Sequence, residues 1–206
     1  MTARPTPADP TEAVISAAFA EHARVLQAAA GQLAAPLAAA ARLLVDCYRR
    51  GGKVILFGNG GSMTDALHVE GELLGRYGFD RPGVPAVALG GLSALTAIAN
   101  DYGYDEVFAR MLAAQARPGD VALGFSTSGN SENVVRALRR AGELGLPRIA
   151  LTGEGGGRCA ALAEVVLMVP SRHTPRVQEV HILAAHTLCE LVERALFEPP
   201  AGAGRA

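Results

Sequence analysis

Five short segments of the chain, 53–57, 85–89, 120–125, 148–152 and 165–169, are apolar at nearly every position, and each ends in small or polar residues. Between them lie stretches with apolar residues three and four apart: "MTDALHVEGELLGRY", "DEVFARMLAAQAR", "NSENVVRALRRAGELG" and "RVQEVHILAAHTLCELVERAL". The first pattern is that of strands buried on both faces, the second that of helices with one buried stripe. Their alternation predicts a doubly wound α/β fold around a five-stranded parallel sheet. Ahead of the first strand, residues 11–50 are rich in Ala and Leu at helical spacing. Gly31 and Pro36 interrupt them, so they read as two N-terminal helices, the first capped by Thr11.

The termini differ from this body. Residues 1–10 hold three prolines and no periodic pattern, and 198–206 ("EPPAGAGRA") have the same character. Both read as flexible tails on a single domain spanning 11–197. A chain of 206 residues is long enough for one continuous core. Its net charge of -1 carries no basic stripe, which argues against nucleic acid or an anionic membrane as partner. No apolar run is read as reaching the roughly 20 residues of a membrane span. Cys47, Cys159 and Cys189 lie in apolar segments without metal-ligand spacing, as buried thiols in a cytoplasmic protein would.

In such sheets ligands bind beyond the carboxyl ends of the strands, where helix N-termini present free amides. The first strand ends in "FGNGGS". Met63 stands where a dinucleotide fingerprint needs its third glycine, and Lys53, the chain's one lysine, precedes the strand, so neither a dinucleotide loop nor a P-loop fits. Asn59, Gly60, Gly61 and Ser62 read either as an ordinary tight turn or as a loop that approaches a polyol closely. The third strand ends in "FSTSGNSENV". Ser126, Thr127, Ser128 and Ser131 surround a glycine at a helix start, which supplies amides, hydroxyls and the positive dipole end to a phosphate monoester. His68 and Glu72 lie one helical turn apart on one face, and Gln178, His181 and His186 share the last helix. These are borderline donors for a divalent metal or, equally, solvated and packed helix residues. Asn100 and Asp101, ahead of Gly103, read as a turn.

Taken in order, "GGKVILFGNGGS", "DALHVEGELLGRY", "ANDYGYDEVFAR", "PGDVALGFSTSGNSENV" and "PRVQEVHILAAHTLCELVE" resemble the SIS (sugar isomerase) domain and, within it, the phosphoheptose isomerases. The resemblance runs from about residue 12 to 196 and implies a flavodoxin-like SIS fold. It also implies an aldose-ketose isomerase acting on sedoheptulose 7-phosphate, one zinc per subunit, and a cytoplasmic homotetramer. It assigns His68, Glu72, Gln178 and His186 to the metal. To the substrate it assigns Asn59, Gly60, Gly61, Ser62, Glu72, Asn100, Asp101, Ser126, Thr127, Ser128, Ser131 and Gln178, with Arg76 nearby on the face of Glu72. Isomerisation needs a base, for which Glu72 is the candidate, and an acid, for which His186 is. Met63, Thr64 and "ALGGLSAL" depart from the familiar pattern near the expected entrance and bear on sugar preference. Some relatives are regulators that bind a replication initiator or sense a sugar phosphate. These lack the equivalent of Glu72 or His186, both of which are present here. An isomerase of another ketose phosphate shares the same chemistry.

Overall fold

The computed structural model describes residues 9–197; the expected tails, apart from Asp9 and Pro10, lie outside the described residues. The elements follow the order α1 (Pro10–Arg49), β1 (Val54–Gly58), α2 (Gly61–Leu74), β2 (Ala86–Ala88), α3 (Leu92–Tyr102), a 3₁₀ turn (Tyr104–Glu106) and α4 (Val107–Gln115). They continue with β3 (Val121–Ser126), α5 (Glu132–Glu143), β4 (Arg148–Thr152), α6 (Gly157–Ala160), β5 (Val165–Met168) and α7 (Thr174–Leu196). All five strands are parallel, in the order β2-β1-β3-β4-β5. This is the flavodoxin-like order, whose direction reverses between β1 and β3. The expected fold class holds, because β1 and β3 are buried at every position and can exist only between two layers.

Helices α1, α2 and α7 cover one face, where Leu44, Leu73, Val180 and Leu188 meet Leu56, Leu123 and Leu151 of the sheet. Helices α4 and α5 cover the other, where Phe108 stacks at 5.9 Å on Phe57 and Val134, Leu138 and Leu112 close the layer. The three thiols are buried and unbridged. Burial pushes the Cys47 and Cys159 thiols up to about 11, so they are inert core residues.

Four expectations are corrected here. The N-terminal region is one helix of 40 residues, not two. Val25, Ala29, Leu33, Ala40, Ala41, Leu44 and Val45 form one buried stripe along it. Burying that stripe outweighs the local cost of Pro36, about 3 kcal/mol in a helix interior, and of Gly31, about 1 kcal/mol. The cap is Asp9, whose carboxylate accepts from the Thr11 amide at 2.9 Å. This helix is also long and apolar enough to cross a membrane by length and composition, with a mean hydropathy of 1.4 over an 18-residue window, because its alanines count as weakly apolar. A third of that window is buried inside the fold. Finally, Asn100 and Asp101 belong to the last turn of α3, which Gly103 (φ 90°) ends, rather than to a free turn.

Candidate active site

The carboxyl ends of β1 and β3 flank the point where strand order reverses, and the two polar loops predicted from sequence leave from these ends. At the β1 end Gly60 adopts φ 55°, ψ -122°, a conformation open to glycine. A Cβ on Gly61 would stand 2.6 Å from Gln178 Nε2, so glycine lets the start of α2 approach α7 closely. Ser62 is buried there. The Asn59 amide is already engaged: its Nδ2 donates to Asn133 Oδ1 and its Oδ1 accepts from Asn133 Nδ2, both at 2.8 Å, and from the Tyr104 hydroxyl at 2.9 Å. The backbone and the second Nδ2 hydrogen are what Asn59 can offer a ligand.

At the β3 end, Ser131 occupies the N-cap position of α5 but makes no side-chain cap bond; its Oγ instead accepts from Ser126 Oγ at 3.2 Å. Ser128 Oγ accepts from the Asn130 amide at 3.1 Å, and Thr127 is half-buried beside it. A second glycine loop supports this one from behind. A Cβ on Gly129 (φ 65°) would lie 2.1 Å from the Gly156 carbonyl, and the Cys159 amide donates to the Gly129 carbonyl at 2.9 Å. Arg158 then donates to the Asn130 carbonyl at 2.7 Å and to Glu132 at 2.6 Å. Glu132 is thereby turned to arginines rather than left facing an incoming anion, and Arg136 and Arg158 hold its carboxyl below the usual range.

Helices α2 and α7 run side by side in the same direction, since Gly61 meets Gln178 and, further along, His68 meets His186. His68 Nε2 lies 3.1 Å from Glu72 Oε1 and 3.0 Å from His186 Nε2, and His186 Nε2 lies 3.5 Å from the same Glu72 oxygen. One ring nitrogen carries one proton or one lone pair, so it cannot satisfy both neighbours. Glu72 Oε2 is buried without a hydrogen-bond partner. Ligand atoms about 2.1 Å from one zinc ion at tetrahedral angles lie about 3.4 Å apart, so this N, N, O triangle fits a divalent cation. Gln178 sits two helical turns before His186, with its amide against Gly61.

Other predicted residues are placed as follows. Helix α2 stops at Leu74 and Gly75 leaves helical geometry (ψ -109°), so exposed Arg76 does not continue the face of Glu72 as expected. Asn100 and Asp101 are exposed and bonded to each other at 2.8 Å. Met63 and the "ALGGLSAL" segment, both singled out as departures, are neighbours: a Cβ on Gly90 would lie 3.1 Å from Met63 Sδ. His181 is fully buried, donates from Nε2 to the Thr152 carbonyl at 3.1 Å, and packs edge-on to Phe125. Because a carbonyl only accepts, Nε2 carries the proton, and burial pushes the pKa down to about 4, so the ring stays neutral.

Sequence reasoning missed several residues. Asp65, one turn before His68, has a buried oxygen without a partner, and burial raises it to about 6 although His68 pulls the other way. Asn133 and Tyr104 were missed because nothing local marks a buried amide or its distant partner. The Arg81–Glu193 pair, each side chain 2% exposed, was missed for the same reason. Arg81 donates to Glu193 Oε2 at 2.9 Å, to the Leu73 carbonyl at 2.7 Å and to the Glu72 carbonyl at 2.9 Å, so it fixes the end of α2 against α7. Burial pulls the Glu193 pKa upward, but the Tyr77, Gly78 and Phe79 amides and Arg81 outweigh it and hold it below the ordinary value.

Residues 18–153 match the SIS domain family. The chain is 44% identical to a phosphoheptose isomerase of Trichlorobacter lovleyi, over 94% of this chain and 100% of that protein. It superposes on the structure of a phosphoheptose isomerase from Neisseria gonorrhoeae with a TM-score of 0.85 at 43% identity, covering 89% of this chain and 99% of the other. For a phosphoheptose isomerase from Francisella tularensis the TM-score is 0.87 at 35% identity, covering 90% and 100%.

Glu193→Gln leaves Arg81 buried without its counter-charge and is expected to cost about 3–5 kcal/mol of folding stability in denaturant titration. In the parent, a folded pKa held below the ordinary glutamate value means that this contribution is complete above that value. It is lost as pH falls through the folded pKa. The stability gap between parent and variant therefore narrows on acidification. A gap that is small at neutral pH or independent of pH would contradict this role. With a family match over most of its length and relatives of this identity and coverage, the chain belongs to the SIS domain family and, within it, to the phosphoheptose isomerases.

Proposed function

We propose that the protein interconverts sedoheptulose 7-phosphate and D-glycero-D-manno-heptose 7-phosphate through an enediolate. The observation that carries this reading is a carboxylate, Glu72, with one oxygen against two partly exposed imidazoles. The hydroxyl-rich start of α5 stands across the crevice from it. Glu72 takes the proton from C1 of the ketose and returns it to C2, and His186 moves the proton between the C1 and C2 oxygens. No net oxidation occurs, because one carbon gains what its neighbour loses. Ser126, Thr127, Ser128 and Ser131, with the amides of the α5 N-terminus, hold the phosphate. The backbone from Asn59 to Ser62 approaches the sugar, with Gln178, Asn100, Asp101 and Arg76 at its margin.

His68, Glu72 and His186 would hold zinc, with Gln178 as the fourth ligand that the family resemblance implies. When bound, such an ion supplies Lewis acidity at the carbonyl and hydroxyl oxygens. A carboxylate that ligates a metal is a weaker base, so metal binding and proton transfer compete at Glu72, whose Oε1 faces both imidazoles. Residues 11–197 act as one domain, and the protein works in the cytoplasm as a homotetramer. The assembly is supported by Val14, Ile15 and Phe19 on the first turns of α1, which are 70%, 52% and 73% exposed in the single chain.

Purified protein is expected to convert sedoheptulose 7-phosphate into an aldoheptose phosphate, and Glu72→Gln to lose roughly 10²–10⁴ of kcat. Undiminished turnover in that variant, or none in the parent, would sink the mechanism. Zinc is expected to raise the melting temperature of the parent but not of His68→Ala. Equal shifts in both proteins would remove these residues from the metal site. Sedimentation should give a tetramer; a monomer at micromolar concentration contradicts the assembly.

A further inference from the structure

One cyclic pair of amides crosses the crevice where strand order reverses, and it joins the two loops on which the isomerase reading rests. Asn59 follows β1, and Asn133 is the second residue of α5, beyond the hydroxyl-rich loop. Each donates Nδ2 to the other's Oδ1 at 2.8 Å. The sense of the pair is fixed independently. Asn133 Oδ1 also accepts from the Val134 backbone N–H at 2.9 Å, a group that can only donate. Asn133 Nδ2 must therefore face Asn59 Oδ1, which is also where the Tyr104 hydroxyl donates at 2.9 Å. Tyr104 comes from the segment just after Asn100, Asp101 and Gly103. Three segments that carry proposed substrate contacts thus converge on one side chain.

Asn133 is 2% exposed. Burying an amide costs free energy unless its bonds are made, and apart from the Val134 amide the partner of the Asn133 side chain is Asn59 across the crevice. A staple for the fold alone has no need to sit at the mouth of the crevice between the two ligand loops. We propose that Asn133, assisted by Tyr104, is a positioning residue for the isomerisation. It holds the phosphate-binding start of α5 at a fixed distance from the glycine loop and α2. A substrate anchored by its phosphate then presents C1 and C2 to Glu72 in register. Asn133 itself touches neither the phosphate nor the reacting carbons.

Removing the tie deletes no hydroxyl of the phosphate loop and no group of the His68, Glu72, His186 set. Affinity is then largely kept while alignment is lost. Asn133→Ala is expected to lower kcat for sedoheptulose 7-phosphate roughly 10–100-fold, with KM within about threefold of the parent. Asn133→Asp gives a sharper readout. As a carboxylate it sets an oxygen against Asn59 Oδ1, where a donor is required. Protonated, it restores the cyclic pair, since a carboxylic acid donates and accepts in the same arrangement as the amide. The positive end of α5 and the Val134 amide favour the carboxylate over the acid, so at neutral pH the pair is broken. At neutral pH the kcat of Asn133→Asp should therefore fall at least as far as that of Asn133→Ala, although aspartate matches asparagine in size.

Parental kcat in the aspartate variant, or an alanine variant with parental kcat and only a lowered melting temperature, would overturn the proposal. If neither variant at position 133 folds, Tyr104→Phe decides, because Tyr104 is half exposed and the change removes one hydrogen bond from Asn59. It should lower kcat several-fold, with the melting temperature within about 2 °C of the parent. Parental kcat in that variant overturns the proposal. A parent without turnover strikes the isomerase reading and this proposal together. An active parent matched by its variants strikes the proposal alone.

Discussion

The candidate site depends on the side-by-side contact of α2 with α7. At its start the contact is close because Gly61 has no side chain to keep Gln178 away. At its end Arg81 binds Glu193 of α7 and the last carbonyls of α2, and Glu193 in turn collects three consecutive amides from the segment that leaves α2. Between these two fixings, a spacing of four residues puts His68 and Glu72 on one face of α2, and His186 of α7 meets them. Loosening either end would move the histidine from one helix relative to the carboxylate of the other, and general acid–base chemistry tolerates little such movement.

The second constraint is set by the sheet. The order β2-β1-β3-β4-β5 opens a crevice between the loops after β1 and β3. One loop leads into α2 and the proposed acid–base residues, the other into the start of α5 with its hydroxyls and free amides. A sugar phosphate requires two such chemistries at a set separation: a neutral, dipolar anion site and a base next to the carbon to be deprotonated. The proposed division of labour between the two loops follows from topology. The amide pair of Asn59 and Asn133 turns the crevice from a gap between two loops into a frame of fixed width.

Much of this was legible in the sequence, and for identifiable reasons. Strands such as 54–58 and 121–126 are buried on both faces and therefore read as continuous apolar runs, so the sheet could be inferred without pairing information. The two polar loops stand where such strands end, and the one-turn spacing of His68 and Glu72 is visible in any helical reading. Where the reading failed, the cause was tertiary. Pro36 marks a helix break locally, but the stripe from Val25 to Val45 on the core overrides it. Arg76 was put on the face of Glu72 because the periodicity runs past Gly75, where the backbone in fact leaves the helix. Asn133 looks like a surface residue between Glu132 and Val134, and its partner is 74 positions away. Arg81 and Glu193, 112 positions apart, carry no local mark at all.

The central claim is that Glu72 moves a proton between neighbouring carbons. Its carboxylate touches two partly exposed imidazoles, with side-chain exposures of 51% and 33%, so a proton held there is open to exchange with water. The most direct measurement is turnover of sedoheptulose 7-phosphate in deuterium oxide, with the aldose product read by NMR. Deuterium at C2 of the product is predicted for the parent protein. Turnover with all of the original hydrogen carried from C1 to C2, the signature of a hydride shift, would contradict the account.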